Sequence, residues 1–429
     1  MRVAHLADLH VTGGARLDDQ RSTIEAITDA IVIAGVDLIL IAGDLFGRHV
    51  PHVSSPAERS VLYPAIVRMA QSAPVIVITG NHCHDLDVEG MANLGGAWPV
   101  RVITTPTVVE VQTMSGIAHL YCIPYPTRRA LLGDEVRGSV EEITAAMHAR
   151  LTSLLALWGG RIGRRRATAP TEPHVLLAHL QVSGSRTSGG EVLAGNEIEV
   201  TRGELDGVPF DYGALGHLHL RQEVARRCFY PGSPWRNDFG ETDAKGWHLV
   251  EIAEHLDMIA LEREALVAAT QDFEGAGRLA YTVRHMPSPC RTFVTLDYRW
   301  SEVGGIPGWS RRPTDAAIEA CADAEVRMRL VVSVAHVGGC PWESELVRVG
   351  ALAHRVQGER KVEPVIRVRA PEVAEAITDE AKMIAYFGVL ATKPTDTEQG
   401  AAVAALRELA SVDDEGVGTA SAGVIAGAA

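Results

Sequence analysis

The stretch Val36–Phe46, VDLILIAGDLF, decides the fold expected for the first half of this chain. Its Val36–Ala42 part is a nearly continuous apolar run, which is typical of a strand buried on both faces of a sheet. Gly43 and Asp44 follow without a spacer, so a carboxylate stands where the strand ends. Because α/β sheets bind ligands outside the carboxyl ends of their strands, this stretch predicts an α/β domain with functional groups at that edge.

More short runs resemble Val36–Ala42, and segments of helical periodicity separate them. One such segment places Ile24, Ile27 and Ile31 on a single helix face. The other runs are Val3–Ala7, Val75–Thr79, Val175–Ala178 and Ala214–Leu215, with an added hairpin at Val108–Val111 and His119–Ile123. We expect Trp247–Ile252 to be the last strand of this α/β unit.

The chain of 429 residues is too long for one average domain, and we expect two or three. The predicted divisions are a first domain at 1–252, a linker at 253–290, a smaller α/β domain at 291–370, a helical segment at 371–410 and a disordered tail at 411–429. Strands of the smaller domain are expected at Phe293–Tyr298, Val326–Val334 and Val362–Val368. Lys393-Pro394 should break the helical segment in two, because proline cannot continue a helix. The tail is assigned from its Gly, Ala and Ser content.

Composition and charge limit the possible classes of protein. Apolar residues make up 46% of the chain, which is enough for a sizeable core. The net charge of −14 argues against a general nucleic-acid binder, but half of it lies after Pro371, so the rest can carry a local basic face. No signal peptide, membrane-spanning run or Cys-x-x-Cys pair occurs, and these observations predict a cytoplasmic protein with reduced thiols.

Five polar motifs follow apolar runs directly. They are Asp8-Leu9-His10, Gly43-Asp44, Gly80-Asn81-His82, His179, and Gly216-His217-Leu218-His219. Taken singly, each has an ordinary explanation as a turn, a helix cap or a surface histidine. Together, at the ends of neighbouring strands, they supply carboxylates, imidazoles and an amide oxygen, which suit Mn²⁺, Fe²⁺ or Zn²⁺. The sequence therefore predicts a metal site, and we expect the glycines to let the backbone turn sharply beside it.

The order of these motifs resembles that of the calcineurin-like metallophosphoesterases. The resemblance implies an α/β fold, a four-layer α/β/β/α sandwich that holds two metal ions. The smaller α/β domain, expected to be a capping domain, and the C-terminal helical segment follow from the sequence pattern and match relatives in layout only. It implies one ion on Asp8, His10 and His219, and a second on Asn81, His179 and His217. Asp44 would bridge the two ions. His82 would be catalytic, facing the scissile phosphate without binding metal.

Within that family the chain is most similar to the SbcD nuclease subunit of DNA double-strand-break repair. The similarity rests on the motifs above, on Gly43-Asp44-Leu45-Phe46, and on Tyr230-Pro231-Gly232-Ser233-Pro234. It implies a Mn²⁺-dependent DNA exonuclease and endonuclease that acts as a homodimer with an SbcC-like coiled-coil ATPase. The residues after Asp44 exclude the protein Ser/Thr phosphatases, and Gly47 excludes the purple acid phosphatases, which have a tyrosine there.

Two departures from the family pattern bear on activity. Cys83 follows His82 where relatives usually have aspartate, so either Asp85 is displaced or Cys83 replaces that aspartate. Gly47 stands where many members have a histidine, and neither His49 nor His52 has the right spacing to replace it. Two alternatives to the nuclease stay open, a phosphodiesterase of small or cyclic nucleotides and a scaffold with a non-catalytic metal site.

A basic run and a helical pair supply the candidate contacts with macromolecules. The run, which suits phosphate binding or is merely a solvated loop, consists of Arg161, Arg164, Arg165 and Arg166. Two short helices bury little surface against each other, so the helical segment at 371–410 needs a further surface to pack on. That surface is either the smaller domain or the ATPase.

Overall fold

The structure is a computed structural model that describes residues 1–47, 53–83, 85–133, 137–189, 198–254, 266–270, 278–363, 376–390 and 393–413. Two compact units divide the chain. The first comprises Met1–Tyr298, Arg311–Leu330 and Pro341–Glu359. The second comprises Arg299–Ser310, Val331–Cys340 and Arg360–Ala429. The domain boundaries expected from the sequence stay predictions.

Two large sheets make up most of the first unit. Their strands are β1 (Arg2–Leu6), β2 (Leu38–Ile41), β3 (Val75–Ile78), β4 (Val100–Ile103), β5 (Thr107–Thr113), β6 (Gly116–Ile123), β7 (His174–His179), β10 (Tyr212–Gly216), β11 (Gln222–Ala225), β12 (Cys228–Tyr230), β13 (Gly246–Ala253), β14 (Leu266–Thr270) and β15 (Ala280–Pro287). The short strands β8 (Gln181–Val182) and β9 (Glu199–Val200) pair separately. The first sheet has the order β14-β15-β13-β1-β2-β3-β4, and the second has the order β11-β12-β10-β7-β6-β5.

Helices cover the outer faces of the two sheets. They are α1 (Leu17–Ala34), α2 (Pro56–Met69), α3 (Asp85–Ala92), α4 (Arg128–Leu132), α5 (Val140–Arg166) and α6 (Arg202–Asp206). Alternate residues of one strand enter different cores: Leu38 and Leu40 pack between the sheets, while Ile39 and Ile41 pack under α1 and α2. The second sheet likewise places Leu177 between the sheets and Leu176 under α5. Because both faces are buried, these strands are continuously apolar, and the predicted α/β/β/α sandwich is confirmed.

The strands predicted before each polar motif are confirmed, as is the hairpin of β5 and β6. The expectation that Trp247–Ile252 ends the sheet is wrong, because β15 pairs with β13 along its whole length and β14 pairs with β15. Both strands lie within 253–290, where the sequence suggested only a linker. Antiparallel additions at a sheet edge lack the strand–helix alternation that identified the other strands.

Further along the chain come β16 (Phe293–Val303), β17 (Ile306–Arg311), α7 (Asp315–Glu319), β18 (Glu325–Ser333), a 3₁₀ helix at Val334–Gly339, α8 (Trp342–Gly350) and β19 (Arg355–Glu363). The four strands form one sheet with the order β17-β16-β18-β19. The strands predicted near 293 and 326 are confirmed. The third strand was predicted at Val362–Val368, but the observed strand, β19, begins earlier in the chain, at Arg355. Most of Val362–Val368 lies outside the described residues.

The helical segment is a pair of helices, α9 (Asp379–Val389) and α10 (Asp396–Asp413), in the second unit. Lys393-Pro394 lies between them, so the predicted break is confirmed. Residues 411–413 are the end of α10 and not part of a tail, while 414–429 lie outside the described residues.

Three buried histidines lie side by side in the first sheet. His5 pairs in register with His248, and His248 with His285. The His5 ring donates from Nε2 to the Leu215 carbonyl oxygen at 3.1 Å and accepts at Nδ1 from the Tyr212 hydroxyl at 2.8 Å. Neither ring nitrogen of His248 has a hydrogen-bond partner among the described residues. Burial, and then the neighbouring His5, His285 and Arg221, hold the pKa of His248 well below its ordinary 6.5.

His248→Leu should therefore flatten the acid dependence of stability. The folded protein keeps the ring neutral while the unfolded chain binds a proton below pH 6.5, so stability is complete above that pH and falls below it. The slope of unfolding free energy against pH should decrease by up to about 1.4 kcal/mol per pH unit between about pH 5 and 6.5. Urea unfolding measures this slope, with His148→Leu as control, because His148 is half-buried on α5 and outside the three-histidine cluster. An unchanged slope would contradict this account.

Candidate metal centre

The five motifs lie at one edge of each sheet. β1 runs parallel to β2 and β2 parallel to β3, so Asp8, Asp44 and Asn81 follow strands that end on the same side. In the second sheet β7 runs parallel to β10, and His179 is in register with Gly216. The predicted convergence of residues more than two hundred positions apart is thus present in the structure.

The two sheets meet at Ala42, the last residue before the Gly43-Asp44 motif. His179 donates from Nδ1 to the Ala42 carbonyl oxygen at 2.7 Å. A side chain at Gly216 would overlap the same carbonyl group. This close approach joins motifs of the first sheet to motifs of the second.

Asp44 is at the centre of the cluster. Its Oδ2 lies 3.4 Å from His179 Nε2, 3.7 Å from His10 Nε2 and 3.8 Å from His82 Nε2. Among the described residues, three groups of donors come close enough to hold an ion, and Asp44 belongs to two of them, His10–Asp44–His82 and Asp8–Asp44–His179. A carboxylate shared by two groups has the placement that a bridging ligand needs.

The donor atoms face one another as they would around cations. His179 uses Nδ1 as a donor, so its Nε2 faces Asn81 Oδ1 at 3.1 Å and the Asp44 carboxylate. His219 Nε2 lies 3.0 Å from His10 Nε2. Acceptors face each other this closely only with a proton or a metal ion between them. The residues therefore fit divalent ions, with imidazole and carboxylate ligands that suit transition metals.

Asp8 and His217 connect the two halves of the site. The His217 backbone N–H donates to both oxygens of Asp8, at 2.9 and 3.1 Å. The His217 and His179 rings pack edge to face with centroids 5.2 Å apart. Five of the seven ligands assigned from the sequence are buried, and the other two, Asn81 and His219, are half-buried.

Burial makes the charges of this cluster depend on one another. Burial raises the pKa of Asp8 to about 6 despite the histidines around it. Burial would also raise the pKa of Asp44, but His179, His10 and His82 hold it well below its usual range. Burial would lower the pKa of His179, but Asp44 and Asp8 raise it to about 9. A proton on His179 thus takes the position that a cation would occupy.

Several ligands have unusual backbone conformations. Positive φ angles occur at Asp8 (54°), His10 (41°), Asp44 (48°) and His217 (111°), a region that residues other than glycine rarely adopt. Such conformations cost of order 1–3 kcal/mol each and concentrate at functional sites. The fold therefore holds these side chains in place at a cost in local stability.

The expectation that the motif glycines provide sharp turns is correct for only one of them. Gly43 has a φ of 90°, but neither Gly80 nor Gly216 has a positive φ. They are required for space, because a side chain at Gly80 would overlap the Asp44 carboxylate and one at Gly216 would overlap Ala42. Close approach between chain segments cannot be seen in the sequence.

Cys83 and Gly47, the two departures from the family pattern, have structural explanations. Cys83 Sγ accepts from the Gly80 N–H at 3.3 Å, so it holds the metal-site loop. Burial raises the pKa of this thiol to about 12. A side chain at Gly47 would overlap Thr12 Oγ1. His49 and His52 lie outside the described residues, as does the side chain of Asp85.

The arginine run is not brought to the metal edge. It forms the end of α5, just before β7 begins, whereas His179 ends β7; the solvated-loop alternative is therefore wrong. Arg165 donates to Glu172 at 2.7 and 3.0 Å, and Arg166 donates to buried Asp211 at 2.7 Å. Cations are also favourable at a helix C-terminus. Contacts of Arg161, Arg164, Arg165 and Arg166 with DNA stay a prediction.

Sequence reasoning missed three residues next to the ligands. Tyr125 places its ring 6.1 Å from that of His179 and 5.9 Å from that of His217. Glu241 accepts from His219, and Lys245 pairs with Glu241. None follows an apolar run in a recognisable motif, so only the fold identifies them.

Comparison with known proteins agrees with this geometry. Residues 1–221 match the model of the calcineurin-like phosphoesterase family. The chain belongs to this family, and its first half is a metal-dependent phosphoester hydrolase domain. It also resembles GAP50, described as the anchor in the inner membrane complex of Plasmodium, with 12% identity and a TM-score of 0.37 over 59% of this chain and 81% of that one. Among the described residues, no helix is long and apolar enough to cross a membrane.

Gly80→Ala should disable the site without unfolding the protein. The new methyl group must displace Asp44, which two donor groups share, so both Mn²⁺ binding and phosphoester hydrolysis should fall sharply. Gly163→Ala is the matched control, since its methyl group would meet open space on α5. Calorimetric Mn²⁺ titration and a nitrophenyl ester assay measure the two effects. Normal metal binding by Gly80→Ala would mean that Asp44 is not a shared ligand.

Proposed function

We propose that this chain is a Mn²⁺-dependent DNA nuclease of the SbcD type, with exonuclease and endonuclease activity. The observation that carries the hydrolytic part is the convergence on Asp44 of donors from both sheets. The choice of DNA as substrate rests on the motifs at Gly43–Phe46 and Tyr230–Pro234. Leu45 and Phe46 are buried in the core under α1 and α2, so they support the loop and do not touch substrate.

Paired divalent ions would supply an activated hydroxide and neutralise charge on the phosphate. Asp8, His10 and His219 would hold one ion, Asn81, His179 and His217 the other, and Asp44 both. Five of these seven side chains are buried, so most of the cluster is out of contact with solvent.

His82 would assist the leaving group. Its backbone N–H donates to Asp44 Oδ1 at 3.0 Å, and its ring packs edge to face on His10 with centroids 4.8 Å apart. These contacts fix the imidazole beside the metal ligands. From there it would stabilise charge on the phosphate or give a proton to the departing oxygen.

Two other functions remain as alternatives. A phosphodiesterase of small or cyclic nucleotides would use the same donors, and the family match covers both activities. A scaffold with a non-catalytic metal site would not need His82 beside a complete donor set. The convergence on Asp44 therefore favours an enzyme.

We also propose that the chain works in the cytoplasm as a homodimer with a coiled-coil ATPase. Helices α9 and α10 are the candidate binding surface for this ATPase, since Ile384 and Tyr386 of α9 are exposed hydrophobic residues. Pull-down of a cognate ATPase by the full chain and by a chain ending at Arg369 tests this assignment.

The proposed substrate is tested by giving the protein DNA duplex, single-stranded DNA and cyclic nucleotides with Mn²⁺. We expect DNA to be degraded at least ten-fold faster than any cyclic nucleotide at equal phosphodiester concentration. Asp44→Asn keeps the size of the bridging group but removes its charge, so it should lose all of these activities and serves as the control for contaminating nucleases. Faster turnover of cyclic nucleotides would replace the nuclease with the small-nucleotide alternative.

His82→Ala should lose most of the hydrolytic rate while retaining both ions. General acid–base groups typically contribute about 10²–10⁴-fold. The loss should be smaller for a nitrophenyl ester, whose leaving group needs no proton, than for DNA. Calorimetry counts the bound ions and single-turnover kinetics give the rates. Loss of one ion in this variant would make His82 a metal ligand.

A further inference from the structure

A buried ion pair contacts His219, one of the candidate metal ligands. Lys245 Nζ is 2.7 Å from Glu241 Oε2, and both side chains are almost completely inaccessible to solvent. Glu241 belongs to the loop that connects β12 with β13, and Lys245 immediately precedes β13. Since β13 neighbours β1, which leads to Asp8 and His10, the pair lies beside the metal edge.

The Glu241–Lys245 pair contacts His219 through both its ring and its backbone. The ring donates from Nδ1 to Glu241 Oε1 at 3.0 Å, while Lys245 donates to the His219 carbonyl oxygen at 3.2 Å. Further hydrogen bonds hold the pair itself. The Asn237 N–H donates to Glu241 Oε2 at 3.1 Å, and Lys245 donates to Ser233 Oγ at 3.0 Å.

This arrangement leaves one orientation for the His219 imidazole. With Nδ1 donating to Glu241, Nε2 points toward His10 Nε2, 3.0 Å away. His179 on the other side of the cluster is oriented differently, by the neutral carbonyl group of Ala42. The two histidines are therefore held by different groups. His219 donates to a carboxylate that has its own counter-ion, and His179 donates to a neutral backbone carbonyl group.

We propose that the Glu241–Lys245 pair positions His219 and strengthens the metal position that His219 shares with His10. The proposal rests on the proposed metal binding and not on the choice of DNA as substrate. A carboxylate that accepts from a ligating histidine fixes the ring and makes it a better ligand, and removing such a partner typically weakens metal binding by about 10–100-fold. Lys245 compensates the charge of Glu241, which otherwise would be costly to bury.

The pair can be removed as a unit, which leaves one carboxylate near it, that of Asp243, whose Oδ2 lies 3.2 Å from Lys245 Nζ and whose side chain is 19% exposed to solvent. Replacing a buried ion pair by neutral groups is often nearly neutral for stability, whereas breaking one is strongly destabilising. The double variant Glu241→Gln/Lys245→Met should therefore unfold near the wild-type temperature, and Glu241→Gln alone at a lower one. The Mn²⁺ affinity of the double variant should fall by about 10–100-fold at the position that His219 shares with His10. Affinity at the other position should be unchanged.

The measurements are calorimetric Mn²⁺ titration and thermal unfolding of the metal-free protein. Glu345→Gln is the matched control, because Glu345 is also buried and paired with an arginine, Arg312, without contacting any ligand. It should lose stability but keep both affinities. Glu241→Asp provides a second variant in case the double variant fails to fold: it keeps the charge for Lys245 but withdraws the carboxylate from His219, so it too should weaken one position.

A folded double variant that binds both ions with wild-type affinity would overturn the proposal and make the pair structural only. Equal weakening at both positions would also overturn it, since His219 is the assigned ligand with which the pair forms hydrogen bonds. If the wild-type chain binds a single ion, the two-metal proposal fails. The pair is then judged by whether the double variant weakens that one ion.

Discussion

The contact on which the rest of the site depends is the meeting of the two sheets at the Ala42 carbonyl group. It accepts from His179 of the second sheet, and Gly216 approaches it closely enough that a side chain there could not fit. Without this contact, Asp44 at the end of β2 and His179 at the end of β7 would belong to separate clusters. Because the sandwich packs an apolar core between its sheets, the separation of the sheets is set by that core and is not free to change near the candidate ligands.

The rigidity of this arrangement explains the local cost of the site. Four ligand positions have positive φ angles, and two acidic side chains, Asp8 and Asp44, are buried. Each of these features is unfavourable alone. The surrounding sandwich stabilises them because its strands are buried on both faces and leave the loops few alternative conformations. A cluster built this way has its donors oriented before any ion arrives.

The chemistry of the family does not decide what such a cluster acts on. Substrate choice depends on surfaces around the metal edge, and the arginines that seemed suited to DNA lie at the start of β7 instead of its end. Three of them, Arg161, Arg165 and Arg166, have carboxylate partners within the same unit. Residues near the ligands, such as Tyr125, are better placed to contact a substrate.

The sequence by itself determined the order of the strands, the candidate ligand at the end of each strand and the chemical class of the site, because apolar runs and the polar residues after them are local features. Only the tertiary structure decided which atoms meet: that Gly80 leaves room for Asp44, that Cys83 closes the loop, and that Glu241 and Lys245 support His219. It also decided that β14 and β15 extend the first sheet. Most of these contacts join residues that are distant in the chain, and they form through packing and burial. The sequence pattern of a single segment does not show which other segments will pack against it.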